Sequence, residues 1–206
     1  TNAYVFGEAD SSSLDAWALN ELAKLVEQVR GAFDAYEFRR LHEALFNFCN
    51  DTMSAVYLAA TKDRMYCDRP DSPRRRRSQT AMFKIADALI RLLAPIMPHT
   101  AEEAWAALHA GDPQLESVHL ALFPDASSYR VPMHPAWEQL MAQRDAVLKV
   151  IESSRSTQNV DNPLDIGLNI NVGEKAQWLR QFDPVDLADL FLISRVTLRD
   201  EATDAG

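Results

Sequence analysis

The chain has 206 residues, 47% of them hydrophobic and 25% charged, and carries a formal net charge of −9. This is ordinary globular usage, enough to bury a sizeable core in one large or two small domains, while the acidic balance argues against broad, non-specific nucleic-acid binding. No apolar run approaches the roughly 18 residues of a membrane span, no charged and then apolar leader opens the chain, and Cys49 and Cys67 form neither a disulfide framework nor a C-x-x-C pair, so a reducing cytoplasm is expected.

Residues 1–12 carry no clear pattern and read as a linker or cloning remnant. Ser12 and Asp15 have capping-box-like spacing ahead of Ala18, Leu22, Leu25, Val29 and Phe33, which recur at helical intervals and predict a helix over 13–36. After a turn near Asp34 to Glu37, a second helix carries Phe38, Leu41, Leu45, Phe48, Thr52, Val56 and Ala60 on its inner face, widened by Phe46, Met53 and Tyr57. It ends near Tyr66, since Pro70 and Pro73 cannot continue it. A third helix starts with Ser72 as N-cap and Pro73 at its first position, with Met82, Ile85, Leu89, Leu92 and Ile96 as its core stripe. Pro95 and Pro98 end it. Thr100 and Glu103 are spaced as a capping box for a short helix with Trp105 and Leu108, stopped by Gly111-Asp112-Pro113.

From Glu116 the texture changes. Ser117 to Pro124 reads as extended, and Ser127, Ser128, Pro132 and Pro135 mark a linker. A helix follows from Pro135 to about Ser156, with Trp137, Leu140, Arg144, Val147 and Ile151 on one side. Leu164, Ile166, Leu168, Ile170 and Val172 alternate with the period of a half-buried strand. Lys175 to Phe182 reads as a short helix, Asp183-Pro184 caps another through Leu190, and Leu192 to Leu198 reads as a second strand. The layout is therefore a helical bundle over 13–125, a linker over 126–134 and a small α+β region over 135–206. Long helices joined by short loops imply antiparallel neighbours in the bundle.

Catalytic signals are missing: no glycine-rich phosphate loop, no His-Glu-x-x-His and no nucleophile elbow. The five histidines are scattered and read as surface or capping residues. Cys49 reads as a small core residue, and the tryptophans Trp17, Trp105, Trp137 and Trp178 as core. The strongest physical signal is electrostatic. Between Lys62 and Arg77 there are seven Lys/Arg and three Asp/Glu, a local balance of +4 in an acidic chain. Arg74, Arg75, Arg76 and Arg77 fall in the first turn of the third helix, at its positive dipole end, where cations are disfavoured by a fraction of a kcal/mol each, about 0.3–1. A solvated charge run is the simpler account of such a cluster. The unfavourable placement, the nearby Lys62, Arg64 and Arg69, and the fit of guanidinium to phosphates and unpaired bases point to RNA. Arg39 and Arg40 form a weaker pair at the far end of the second helix.

The same residues carry a resemblance. Ala35-Tyr36-Glu37-Phe38, Phe46-Asn47-Phe48-Cys49, Tyr57-Leu58, Lys62-Asp63-Arg64-Met65-Tyr66-Cys67 and Asp71-Ser72 with the following arginines are similar to the isoleucyl-tRNA synthetases, class Ia aminoacyl-tRNA synthetases. The similarity continues through Ser78-Gln79-Thr80, Arg91-Leu92-Leu93-Ala94-Pro95-Ile96, Thr100-Ala101-Glu102-Glu103-Ala104-Trp105 and Glu116-Ser117-Val118-His119-Leu120. The last of these favours the isoleucyl member over its valyl and leucyl relatives. Residues 151–172 and 191–198 resemble the family's junction region more loosely, and Asp161-Asn162-Pro163 departs from the glycine-serine turn usual there.

The resemblance implies a mainly α fold, an antiparallel helical bundle of the class Ia anticodon-binding type followed by a small α+β subdomain. It implies a tRNA anticodon stem-loop as partner, held by Lys62, Arg64, Arg69, Arg74, Arg75, Arg76 and Arg77, with the catalytic domain of the same protein as a second partner. Neither a membrane nor DNA is expected. The parent reaction is the ATP-dependent ligation of isoleucine to its tRNA in protein biosynthesis, served by ATP and Mg, with Zn in a C-terminal module. By that resemblance the catalytic and editing domains and that module are not in this sequence, and the bundle's usual first helix is absent or reduced to residues 1–10. The chain alone is thus expected to be non-catalytic and without a cofactor or metal, and, if the first helix is lost, to expose an apolar groove. The alternative is a non-catalytic helical protein-interaction module whose arginines bind an acidic partner.

Overall fold

A computed structural model describes residues 3–112, 116–158, 160, 162 and 165–200. Its order is α1 (Leu14–Asp34), α2 (Phe38–Asn47), a π-helical stretch (Phe48–Leu58), α3 (Ala59–Tyr66), α4 (Pro73–Leu93), α5 (Pro98–Leu108), α6 (Ala136–Gln158), β1 (Gly167–Val172), α7 (Pro184–Phe191) and β2 (Arg195–Asp200). Short 3₁₀ turns lie at Glu8–Asp10, Val118–Leu120, Ala126–Ser128 and Glu174–Gln181. The fold is mainly α with a small α+β part, as the sequence pattern predicts. Among the described residues no helix is long and apolar enough to cross a membrane.

Helix α1 is the centre of the bundle and packs against α2, α4 and the π-helical stretch. Its small residues Ala16, Ala18, Ala23 and Ala32 are buried and let neighbours approach, while Leu14, Leu19, Leu22, Leu25, Val26 and Val29 fill the space between them. The N-cap is Ser13, whose Oγ accepts from the Ala16 amide, and not the Ser12 of the predicted box. Asp15 is therefore free to turn inward, and it is fully buried. The turn at 34–37 is closed by Tyr36 in the left-handed region, φ 56°, with Glu37 N–H donating to Ala32 O.

The second predicted helix runs continuously from Phe38 to Tyr66, but its middle third takes the wider i→i+5 hydrogen bonding of a π-helix. The wider turn moves the inner face by one residue. Met53 and Tyr57 are buried, and Thr52, predicted on that face, is only half-buried. Phe38, also expected inside, is 58% exposed, and Cys49 is exposed rather than core. With Leu41, His42, Leu45, Phe46, Leu93, Ile96 and Met97 they line an apolar groove of about 300 Å³. Ile96 is outside the core because α4 stops at Leu93.

Helix α5 begins at Pro98, so Thr100 and Glu103 do not cap it. Glu102 instead reaches forward, its Oε2 accepting from Ser117 Oγ (2.9 Å) and the Val118 amide (3.1 Å). That contact folds residues 118–120 into a 3₁₀ turn where an extended run was expected. Pro113 of the predicted helix stop lies outside the described residues.

The segment 126–134 links backbone but not separate cores. Tyr129 is buried, Val131 O accepts from Asn20 of α1 at 3.0 Å, and Trp137 of α6 stacks on Trp17 of α1 with centroids 6.0 Å apart. One hydrophobic cluster therefore runs from α1 through Trp137 and Phe182 to Leu187, Phe191 and Val196. Buried Arg144 of α6 donates to Leu190 O and Ala55 O, tying the end of α7 to the π-helical stretch. The two strands are parallel, Gly167 opposite Arg195 through Val172 opposite Asp200, and are joined by the 3₁₀ turn and α7. Strand β1 starts at Gly167; Leu164 of its predicted run lies outside the described residues. Strand β2 starts at Arg195 rather than Leu192, because Leu192 caps α7 in the left-handed region, φ 57°. Residues 174–181 form 3₁₀ rather than α-helix.

Candidate nucleic-acid interface

The basic stretch occupies the corner where α3 ends and α4 begins. Pro73 pre-sets the first turn of α4, and Ser72 holds the N-cap position without a side-chain cap bond, its Oγ being 3.4 Å from Asp68 Oδ2. This packing puts Arg74 to Arg77 on different sides of the first turn, and their fates diverge.

Arg77 and Arg64 point inward. Arg77 Nε donates to Asp15 Oδ2 (2.8 Å) and its Nη1 to Asp10 Oδ1 (3.2 Å), with Asp186 Oδ2 3.6 Å from Nη2. Burial works against its charge, but Asp15, Asp186 and Asp10 outweigh it and raise its pKa. Arg64 has no exposed surface. It donates to Asp189 Oδ2 (2.6 Å), Asp186 Oδ1 (3.0 Å) and, at the limit of 3.5 Å, Asp15 Oδ2 and Ser78 Oγ. Tyr57 Oη donates to the other oxygen of Asp15 at 2.7 Å, and burial together with that carboxylate raises its pKa well above the usual tyrosine value. Burial pushes the carboxyls of Asp186 and Asp189 above their ordinary range despite Arg64.

Arg64 is thus the clear correction to the predicted RNA set. A side chain enclosed by three aspartates from α1 and α7 has no face to offer a phosphate. Arg77, 16% exposed, serves the same internal cluster. Arg74 lies at the boundary. It grips Asp68 with two parallel bonds, Nε to Oδ2 (2.9 Å) and Nη2 to Oδ1 (2.8 Å), and reaches Asp189 at 3.5 Å. The Arg74 bonds hold the Asp68 carboxyl below its ordinary pKa.

The outward remainder is smaller. Lys62 is exposed, and Arg69 is 84% exposed with a surface pairing to Asp71. Arg75 and Arg76 are half-buried; Arg75 Nη1 donates to Asp68 O (2.6 Å) and Arg76 Nη1 to Gln79 Oε1 (2.9 Å). Arg39 and Arg40 sit at the far end, each on the acid of its own turn, Glu43 and Glu37.

Sequence reasoning missed the acids. Asp15 lies three residues before Ala18 and seven before Leu22, on the apolar stripe of α1, and an acid in such a place calls for a buried cation. Asp186 and Asp189, one helical turn apart on α7, are a weaker signal. It also missed residues 3–12 as structure: Tyr4 N–H donates to Thr80 Oγ1 (3.0 Å), and Tyr4 Oη donates to Asp10 (2.9 Å).

An α-helical bundle with a basic corner joined to a small α+β unit defines the class, and the chain belongs to the family described as the anticodon-binding domain of tRNA ligase, whose profile matches residues 15–170. Within that class it is similar to isoleucine–tRNA ligases. That of Fervidobacterium nodosum is 35% identical over 214 residues, covering 99% of this chain and 23% of the relative. That of Brevibacillus brevis is 35% identical over 93% of this chain and 21% of the relative, and that of Syntrophotalea carbinolica 37% over 93% and 21%. The chain spans about a fifth of the length of the curated relatives it matches.

Proposed function

We propose that this chain is the tRNA-binding part of an isoleucine–tRNA ligase and holds the anticodon stem-loop at the α3–α4 corner. The observation that carries this is exposed Lys62 and Arg69 with half-buried Arg75 and Arg76, gathered where α3 ends and α4 begins in a chain of the anticodon-binding family. Arg guanidinium and Lys ammonium attract the phosphates of the loop, and Arg also stacks on unpaired bases. In the whole enzyme this binding orients the acceptor end toward a catalytic centre elsewhere, where ATP and Mg²⁺ serve the ligation of isoleucine. Arg64, Arg74 and Arg77 are taken by carboxylates of this chain, so an acidic partner would have to use the same remaining set, and membership of the anticodon-binding family favours RNA.

The test is a titration of the chain with the anticodon stem-loop of an isoleucine tRNA at several salt concentrations. Micromolar or tighter binding that weakens steeply with salt is expected. Equal binding to an unrelated hairpin of the same length, or none, overturns the assignment.

A further inference from the structure

Tyr66 is the most exposed large apolar side chain of the basic corner, at 81%, and its hydroxyl makes no hydrogen bond among the described residues. It lies in the last turn of α3, four residues after Lys62, so the two side chains are neighbours on one helix face, with Cβ atoms about 5–6 Å apart. Beyond it the chain turns through exposed Cys67 to Asp68, whose carbonyl holds the Arg75 guanidinium, and to exposed Arg69. Along the chain the exposed ring thus lies between Lys62, one helical turn before it, and Arg69, three residues after it, with Arg75 held at the carbonyl of Asp68 two residues after it. Asp63 and Asp71 are also exposed here, and Asp71 is occupied by Arg69.

We propose that Tyr66 is a stacking platform for one unpaired base, with Lys62, Arg69 and Arg75 holding the phosphates on either side of it. This rests on the tRNA reading above and adds to it a residue and a mode of contact. A single-stranded nucleotide offers what this corner lacks, a flat apolar face and adjoining negative charge. The other exposed aromatic side chains do not share this setting: Phe38 and Phe46 line the apolar groove, Tyr36 packs on Phe38, Phe83 packs on His109, and Arg39 and Arg40 are paired with glutamates.

The experiment uses the same stem-loop with 2-aminopurine placed at successive loop positions. One position should lose fluorescence on binding. Tyr66→Ala should weaken binding by about 5- to 150-fold and abolish that quench. Tyr66→Phe should keep both, and the slope of log affinity against log salt should be the same for all three proteins, since a ring carries no charge. The exposed position predicts unchanged melting for both variants, checked by circular dichroism. Equal affinity of wild type and Tyr66→Ala, failure of Phe to rescue, or a changed salt slope overturns the stacking role alone. Failure of the wild type to bind overturns the tRNA reading and this proposal with it.

Discussion

The guanidinium of Arg64 grips a single oxygen of Asp189 with two donors, Nη2 at 2.6 Å and Nε at 3.2 Å, across 125 residues of sequence. Because the same guanidinium also donates to Asp186, α7 is held to the bundle by an internal ion cluster as well as by apolar contact. Removing the cation leaves Asp15, Asp186 and Asp189 short of a partner in a buried place. Arg64→Ala should therefore cost about 3–5 kcal/mol in urea unfolding. A loss under about 1 kcal/mol would show that water enters the cluster freely.

The cluster also gives two acids with opposite pH behaviour. Asp186 has a folded-state pKa above its ordinary value, so the folded chain holds its proton more tightly than the unfolded chain. The stability it contributes is present at low pH and is lost as pH rises from the ordinary carboxylate value through the raised one. Asp68 has a lowered pKa, so its contribution is present above the ordinary value and is lost as pH falls through the lowered one. Stability curves of Asp186→Asn and Asp68→Asn against pH should thus differ from wild type in opposite directions. A common direction contradicts the assignment.

Lys62 and Arg69 are exposed, so their loss should leave the melting temperature unchanged while altering RNA binding. Each Ala variant should lower the salt slope of stem-loop affinity by about 0.7 for each phosphate contact removed. An unchanged slope in both would place the phosphates elsewhere on the chain.

Glu102 closes the loop after α5 by accepting from Ser117 Oγ and the Val118 amide. Glu102→Ala removes both bonds and should destabilise by about 1–2 kcal/mol, read from thermal melting. Glu102→Gln keeps an acceptor oxygen and should recover much of the loss.

Tyr36 holds a left-handed backbone conformation that a side chain disfavours by about 1–2 kcal/mol, and its ring is 80% exposed. Tyr36→Gly removes that strain at little packing cost, although glycine raises unfolded-state entropy. A stability gain of up to about 1 kcal/mol is expected, and a net loss would mean that the ring contact with Phe38 outweighs the strain.

The helices, their order and the inward tryptophans were legible because apolar periodicity is a local signal, and so was the βαβ tail, from strict alternation and the Asp183-Pro184 cap. The π-helical stretch was not, since its pattern differs from that of an α-helix by one residue per turn and is blurred by Phe46 and Tyr57. The basic stretch was found as a cluster, but sequence could not divide it. Whether Arg64 meets RNA or Asp186 depends on where α7 packs, and that is decided by contacts 122 residues apart. Tyr66 was read only as the end of the second helix, because its exposure depends on how the chain leaves that helix.

The span between Arg64 and α7 has a consequence for biosynthesis. At about 5–20 residues per second, Asp186 and Asp189 leave the ribosome on the order of ten seconds after Arg64 does. In that interval Asp10 and Asp15 are the only members of the inner carboxylate set available to Arg64 and Arg77, and the nascent bundle presents unmatched guanidinium charge. The arrival of α7 thus completes the ion cluster, and a chain stalled before residue 186 would hold Arg64 and Arg77 with only part of their carboxylate set.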